Sequence, residues 1–345
     1  MKKKVAVAMS GGVDSSLVAA ILLQKNFEVI GVTMLLFGNE NQDFIADAKK
    51  VADCLGIKHY VADFRKTFRA EVEDYFVAEY LQGKTPNPCV RCNCKIKFGK
   101  LFDFAMELGA DFLATGHYAQ IVFEDNRFKL KKAADIFKDQ SYVLYNLTPE
   151  KLAKIILPLG TFSKSDTRNL AEKFNLPVAK KPDSQEICFV PEDDYKKYLL
   201  ERADKKSAAL QPGEIINTES KILGKHNGAA FYTIGQRKGL GIANPTPLYV
   251  LQLDAANKKV IVGSNAELFS DTLTAENVPW IYQPELPAKL QAKIRYGNKI
   301  FDCEVSEENN LLRVKFSESV RAITAGQSVV FYDGDELLGG GLIKK

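Results

Sequence analysis

Small apolar residues run from Val5 to Ala8, polar Ser10 and the pair Gly11-Gly12 interrupt them, and an apolar run from Leu17 to Leu23 follows. The pattern predicts a buried strand, a glycine turn and an amphipathic helix headed by Asp14 and Ser15. Glu28 to Met34 then predicts a second strand, Phe44 to Leu55 a helix and His59 to Asp63 a third strand. Strands alternating with helices imply a parallel sheet covered on both faces, and ligands of such sheets sit beyond the carboxyl ends of the strands. Further on, the spacing predicts a helix over 68–82, another from Ile96 to Leu108, a strand from Asp111 to Thr115, and a hairpin of residues 119–123 and 128–132. Pro86 and Pro88 end one helix before the next begins and set Cys89, Cys92 and Cys94 on a rigid turn. Lys138 to Tyr142 heads a short helix, Ser163 caps a helix over 165–174, and a basic helix runs from Asp194 to Arg202.

From about Ala208 onward helical periodicity disappears, and short alternating strands separated by Gly, Asn and Pro take over. Among them are 248–254 with 259–263, 289–296 with 300–305, 311–316, 328–332 and 337–343. A proline-marked linker near 270–285, carrying Val278-Pro279-Trp280, splits this half again. The expected architecture is α/β, with a doubly wound parallel sheet in residues 1–205, a small β-rich domain in 206–275, and a second one, a β-barrel, in 276–345.

A chain of 345 residues has length for two or three domains. Its start is basic, but only five apolar residues follow the lysines before Ser10, too few for a signal-peptide core, and no apolar run approaches membrane-spanning length. A cytoplasmic monomer without a membrane partner is expected. Six cysteines in so long a chain do not make a small disulfide scaffold and point to metal, redox or catalytic thiol chemistry. The net charge of +4 is mildly basic, and lysine pairs recur at 131–132, 180–181, 196–197, 205–206 and 258–259. They admit a polyanionic partner and suit solvated surfaces equally well.

Two adjacent glycines let a backbone approach its ligand, and the first N–H groups of the following helix point at it, so the stretch from Ala8 to Ser15 reads as an anion cradle. Neither Gly-Lys-Ser/Thr nor Gly-x-Gly-x-x-Gly is present. Ser10-Gly11-Gly12-Val13-Asp14-Ser15 resembles the loop of the PP-loop ATP pyrophosphatases. That resemblance implies ATP with Mg²⁺ near Asp14, and adenylation of a carbonyl oxygen with release of pyrophosphate. Met34, at a strand end, would then contact the adenine; by packing alone it is an ordinary sheet residue.

Three chemistries suit Cys89, Cys92 and Cys94 with the distant Cys188. Zinc fits the Cys-x-x-Cys half-site, but no second half-site is evident and the chain has only three histidines. Thiol-mediated sulfur transfer is the second reading. Arg91 and Lys95 lie beside the thiols, and nearby positive charge favours the thiolate. One thiol would carry a terminal sulfur and the other release it, leaving a disulfide. The third is an iron–sulfur cluster on Cys89, Cys92 and Cys188 with one iron open to external sulfur. Sequence does not separate the last two. Cys54 and Cys303 read as small packed residues.

Seven stretches in register resemble the tRNA-specific 2-thiouridylases: Ala8 to Ser16, Thr85 to Pro88 with Cys92-Asn93, Lys95 to Phe98, Ala114 to Tyr118, Lys138 to Tyr142, Asp183 to Phe189, and Tyr232 to Gly241. The resemblance implies an ATP site at Ala8, Met9, Ser10, Gly11, Gly12, Val13, Asp14, Ser15, Met34 and Gly116, a nucleophile at Cys92 and a persulfide carrier at Cys188. It sets Asn87, Pro88 and Cys89 beside the target base, and His117, Lys138, Asp139, Gln140, Arg295, Tyr296 and Gln327 on tRNA. The implied reaction is ATP-dependent 2-thiolation of the wobble uridine, with a sulfur-donating protein to load Cys188 and the base flipped out of the anticodon stack. Family members often carry an aspartate where this chain has Cys89, so Cys89 is no carboxylate base but a better cluster ligand. Two other readings keep part of the pattern. A PP-loop adenylating enzyme of the amidotransferase type needs neither Cys92 nor Cys188, and an ATP- or tRNA-binding module with a zinc knuckle binds metal without turnover.

Overall fold

The structure, a computed structural model, describes residues 2–38, 42–182 and 187–344. The first half contains, in chain order, β1 (Lys4–Ala8), α1 (Val13–Gln24), β2 (Glu28–Leu35), α2 (Asp43–Leu55), β3 (Lys58–Asp63), α3 (Arg65–Phe68) and α4 (Asp74–Leu81). There follow α5 (Pro88–Cys92), α6 (Phe102–Glu107), β4 (Phe112–Ala114), the hairpin β5 (Gln120–Glu124) and β6 (Arg127–Lys131), α7 (Pro149–Leu152), β7 (Ile155–Ile156), α8 (Lys164–Lys173) and α9 (Tyr195–Arg202). Five strands form one parallel sheet in the order β3-β2-β1-β4-β7. The two-residue period of β1 sorts the core: Val5 and Val7 pack with α1 and α2, whereas Ala6 packs on the other face with Phe98, Leu101 and Ala105. Helices therefore cover both faces, the doubly wound arrangement expected.

Two helices depart from the sequence reading. In α1, Val13 and residues 15–22 are all buried, because α8 covers the side turned away from the sheet. The helix is enclosed rather than amphipathic. The cysteines, expected on a rigid turn, stand on a helix. Asn87 accepts hydrogen bonds from Cys89 N (3.1 Å) and Val90 N (3.3 Å), and Pro88 occupies the first helical position, where its missing N–H is no loss. From there α5 runs through wide π-type turns over Asn93–Leu101 into α6 without a break.

The second half holds β8 (Gly213–Ile216), β9 (Ile222–His226), β10 (Tyr249–Asp254) and β11 (Lys259–Gly263), a four-stranded sheet in the order β10-β11-β8-β9 around Ile215, Val250, Val260 and Val262. Then come β12 (Phe269–Glu276), β13 (Ala288–Lys293), β14 (Phe301–Glu308), β15 (Leu311–Arg321), β16 (Ser328–Asp333) and β17 (Glu336–Ile343). Their order is β12-β15-β14-β13-β16-β17, and the pairs Ala275↔Ile343 and Glu276↔Leu342 close them into a six-stranded barrel. The stretch near 270–285 is thus only in part a linker: β12 occupies its beginning, and the prolines that marked it follow the strand. The β5–β6 hairpin also belongs to this sheet, through Lys131↔Glu336 and Leu130↔Leu337. Among the described residues no helix is long and apolar enough to cross a membrane.

The barrel is fused to the parallel half. Tyr142 Oη donates to Ser328 O (2.8 Å), the Ser141 and Tyr332 hydroxyls meet at 3.0 Å, and Val330, Tyr332 and Leu337 join the core that holds Leu130 and Tyr142. At the centre Lys293 Nζ donates to Asp139 Oδ2 at 2.7 Å, with side-chain exposures of 5% and 2%. Asp139 also accepts from Ala133 N, Ser141 N and Ser141 Oγ, so the buried charges are fully partnered. Breaking such a pair from one side leaves an uncompensated charge. Asp139→Ala is expected to lose about 3–5 kcal/mol of stability, and Asp139→Ala with Lys293→Met less than that; urea unfolding of the variants checks the order, and additive losses would contradict it.

Candidate active site

The loop after β1 is shaped by contacts that admit few substitutions. Met9 N donates to Val32 O (2.9 Å), Ser10 N to Ser15 Oγ (3.1 Å), and Ser15 and Ser16 hydroxyls donate to Gly12 O. Gly11 has φ +68°, and a Cβ there would lie 2.3 Å from Phe44 O. Only glycine fits. Gly12 caps α1 with no side chain, which leaves the first helical turn facing the loop mouth. Gly116, at the end of β4, lies against that turn: a Cβ would be 3.0 Å from Asp14 Cβ and 3.1 Å from Ser15 N. Half-buried Met34, late in β2, packs towards both the sheet core and the cysteine helix. The residues from Ala8 to Ser15, with Met34 and Gly116, thus gather at the carboxyl edge of the sheet, where β1 and β4 diverge.

Two lysines that the sequence reading did not assign complete this loop. Lys164, at the start of α8, donates to both oxygens of Asp14 (2.7 and 2.9 Å), and Tyr118 Oη donates to Asp14 Oδ1 (2.9 Å). Lys181 donates to Gly11 O (3.2 Å) and to Asp47 Oδ2 (2.7 Å), and that hydrogen bond holds the Asp47 carboxyl below its ordinary range. Lys181 belongs to a pair that sequence alone leaves between surface and partner.

On the cysteine helix Cys89 is exposed and Cys92, one turn on, is buried. Cys188 is exposed. Its neighbours Ile187 and Phe189 pack into the apolar cluster that encloses Cys92, with Phe189 edge-on to Phe68 (5.6 Å) and Phe76 (5.4 Å). The preceding motif residues, Asp183 to Glu186, lie outside the described residues. All six cysteines are free. Among the described residues no three His, Cys, Asp or Glu side chains stand close enough together to hold a metal ion. Neither the zinc half-site of Cys89, Cys92 and Cys94 nor the iron–sulfur arrangement on Cys89, Cys92 and Cys188 therefore fits these side chains.

The expected thiolate activation also changes partner. Arg91 is drawn off to Glu71 (2.6 Å) and stacks on Tyr75, and Lys95 is exposed. Burial pushes the Cys92 thiol up to about 11, and the cation acting against it is Lys97. Cys188 opens to solvent on one side, yet the crowded cluster beneath it pushes its thiol up to about 12, with Cys92 and Cys89 adding to the rise. Lys97 Nζ donates to His117 Nε2 at 3.4 Å, and His117 Nδ1–H donates to Thr115 Oγ1 at 2.8 Å; the tautomer follows from that network. His117 is buried, and burial holds its pKa well below 6.5, so it is neutral.

A family model described as tRNA methyl transferase HUP domain matches residues 3–192, one described as tRNA methyl transferase PRC-barrel domain matches 202–264, and one described as aminomethyltransferase beta-barrel domain matches 270–343. The tRNA-specific 2-thiouridylase MnmA of Carboxydothermus hydrogenoformans is 46% identical over 100% of this chain and 98% of its own length. The protein of the same name from Caldicellulosiruptor saccharolyticus is 48% identical over 100% of this chain and 99% of its own. The chain belongs to the tRNA-specific 2-thiouridylase family.

In this family member the residues expected on tRNA fall into two groups. Gln327 Nε2 donates to Thr85 O (2.7 Å), while Thr85 N donates to Ala325 O (3.0 Å), so a barrel loop grips the segment that leads to Asn87, Pro88 and Cys89. Arg295 Nη2 donates to Ala322 O (2.7 Å), and exposed Tyr296 leans edge-on to Tyr142, close enough to Cys89 for that thiol to affect it. Gln327 and Tyr296 thus reach the cysteine segment from the barrel, while Arg295 is bound within the barrel. Gln140 is tied to Tyr118 through Tyr118 N to Gln140 Oε1 (3.0 Å), with half-buried Lys138 nearby in the chain. His117 and Asp139 instead point inward and are buried.

Removing the Lys97 charge, as in Lys97→Met, is expected to raise the Cys92 thiol further and to slow its alkylation near pH 9 by about tenfold, read by peptide mass spectrometry; an unchanged rate would remove Lys97 as its partner. All three histidines, His59, His117 and His226, are held below 6.5, chiefly by burial. Below 6.5 the unfolded chain takes up protons that the folded one refuses, so stability present above that pH is lost as pH falls. His117→Gln is expected to flatten this fall by about 1.4 kcal/mol per pH unit, measured by urea unfolding between about pH 6.5 and 5.

Proposed function

We propose that this chain is an ATP-dependent tRNA 2-thiouridylase that transfers sulfur from a cysteine persulfide to the wobble uridine. The observation that carries the reading is the dipeptide Gly116-His117. Gly116 abuts the head of α1 at Asp14 and Ser15, while the next residue holds Lys97 on the cysteine helix. An activating site and a sulfur-delivering site are thereby joined through adjacent residues. A methyl-transfer reading, which the descriptions of the family models suggest, leaves both cysteines and both loop lysines without a task.

In the proposed reaction the Ser10 to Ser15 loop takes the ATP phosphates on its backbone N–H groups. Lys164 and Lys181 supply the positive charge that a Walker lysine would bring. Asp14, a carboxylate at the loop mouth, suits Mg²⁺, which neutralises phosphate charge when bound; Lys164 then turns from Asp14 to the phosphates. The uridine O2 attacks the α-phosphorus and pyrophosphate leaves. The terminal sulfur of a Cys188 persulfide attacks C2, and the C2–O bond breaks to release AMP. Cys92 thiolate then attacks Cys188 Sγ and cleaves the S–S bond. The new thiocarbonyl keeps the electron pair, and a Cys92–Cys188 disulfide remains for an external thiol reductant. The exposure of Cys188 suits loading by a sulfur-donating protein, and the burial of Cys92 keeps its sulfur from competing oxidation.

Incubation with ATP, Mg²⁺, a persulfide donor and unmodified tRNA is expected to yield 2-thiouridine, AMP and pyrophosphate. Cys188→Ser is expected to lower thiolation more than about 100-fold while ATP still binds. Nucleoside mass spectrometry reads the product, and its absence with the intact chain would sink the proposal.

A further inference from the structure

Few buried polar atoms in this molecule lack a partner, and two of them flank the cysteines. Among the described residues the unpaired buried side-chain atoms are Thr85 Oγ1, Asn93 Oδ1 and Tyr198 Oη. Asn93 follows Cys92 directly and is only 3% exposed. Its Nδ2 donates to Cys89 O at 2.9 Å. That bond fixes the amide: flipped, it would set two carbonyl oxygens against each other, so the orphan is an acceptor. An unsatisfied buried acceptor costs about 1–3 kcal/mol, and an apolar residue of the same size would avoid that cost. The chain itself supplies no donor for it.

We propose that Asn93 is the base-reading residue of the site, and that its side-chain carbonyl accepts the N3–H of the target uracil. The inference rests on the thiouridylase reading above. Uracil offers a donor at N3, whereas cytosine offers an acceptor there, so one fixed carbonyl oxygen binds the first and repels the second. N3 is bonded to C2, and Asn93 follows Cys92 directly, so a base held at N3 with its C2 edge towards Cys92 has the carbon to be thiolated at the cysteine site. The grip on N3–H also raises the electron density on the imide oxygens, among them O2, the atom that must attack phosphorus. Because the oxygen is out of reach of water, the contact is made in a dry environment, where a missing partner discriminates most strongly. The base approaches from the side of α5 on which Cys89 is exposed, with the bond from Asn93 Nδ2 to Cys89 O kept.

The test uses Cys188→Ser chains, which hold substrate without turnover, and stem–loop RNA carrying uridine, N3-methyluridine or cytidine at the target position. Uridine RNA is expected to bind at least about tenfold tighter than either other RNA. In Asn93→Leu, which preserves volume, the preference is expected to vanish. In Asn93→Asp, which keeps an acceptor, the preference over cytidine is expected to persist, and this second variant decides the matter if the first fails to fold. Equal binding of the three RNAs by the Asn93 chain, or a preference that survives Asn93→Leu, would overturn the proposal. A separate thiolation assay with intact Cys188 distinguishes the failures: product with an Asn93-independent preference removes only this inference, and no product removes the reading beneath it.

Discussion

At residue 116 the end of β4 passes so close to α1 that even a methyl group would press on Asp14 Cβ at 3.0 Å and Ser15 N at 3.1 Å. This approach fixes where the loop mouth stands relative to everything after β4. His117 follows at once, buries its ring against Phe98 and takes the Lys97 ammonium. Tyr118, one residue further, reaches back to Asp14. Three consecutive residues therefore tie the loop after β1 to the cysteine helix, and any widening at 116 would loosen both.

The electrostatics of the thiols follow from the same enclosure. Charged residues adjacent in sequence suggest easy ionisation, but Arg91 finds Glu71 and Tyr75 instead, and burial decides the outcome for Cys92. The cation that matters stands five residues beyond Cys92. Five residues close one π-type turn, whereas in an α-helix they would fall well off the same face, so the wide turns over Asn93–Leu101 bring Lys97 into line with the sulfur. A wide turn has no simple residue signature, and this relation was not readable before the fold.

Much else was legible, and for physical reasons. The alternation of β1, the double glycine and the Ser163 cap are local patterns, and local patterns specified local structure. Pro86 and Pro88 signal the end of one helix, but Asn87 as an Asx cap before Pro88 also starts the next, an equally local pattern. What escaped was long-range. Lys164 and Lys181 reach the loop from about 150 and 170 residues away, and nothing in their neighbourhood announces it. The inward turn of His117 and Asp139 depends on partners that only the folded chain supplies.

The β5–β6 hairpin has a consequence for how the chain comes into being. It is made early, yet its ladder partner is β17, and the Arg127 and Glu336 side chains that bond across that ladder are 209 residues apart. During synthesis the hairpin emerges with an open edge well before β17 does. β17 both closes the barrel against β12 and covers that edge. The two contacts sit at opposite ends of β17, Glu336 and Leu337 on the hairpin and Leu342 and Ile343 on β12, so loss of the whole strand would expose two sheet edges at once.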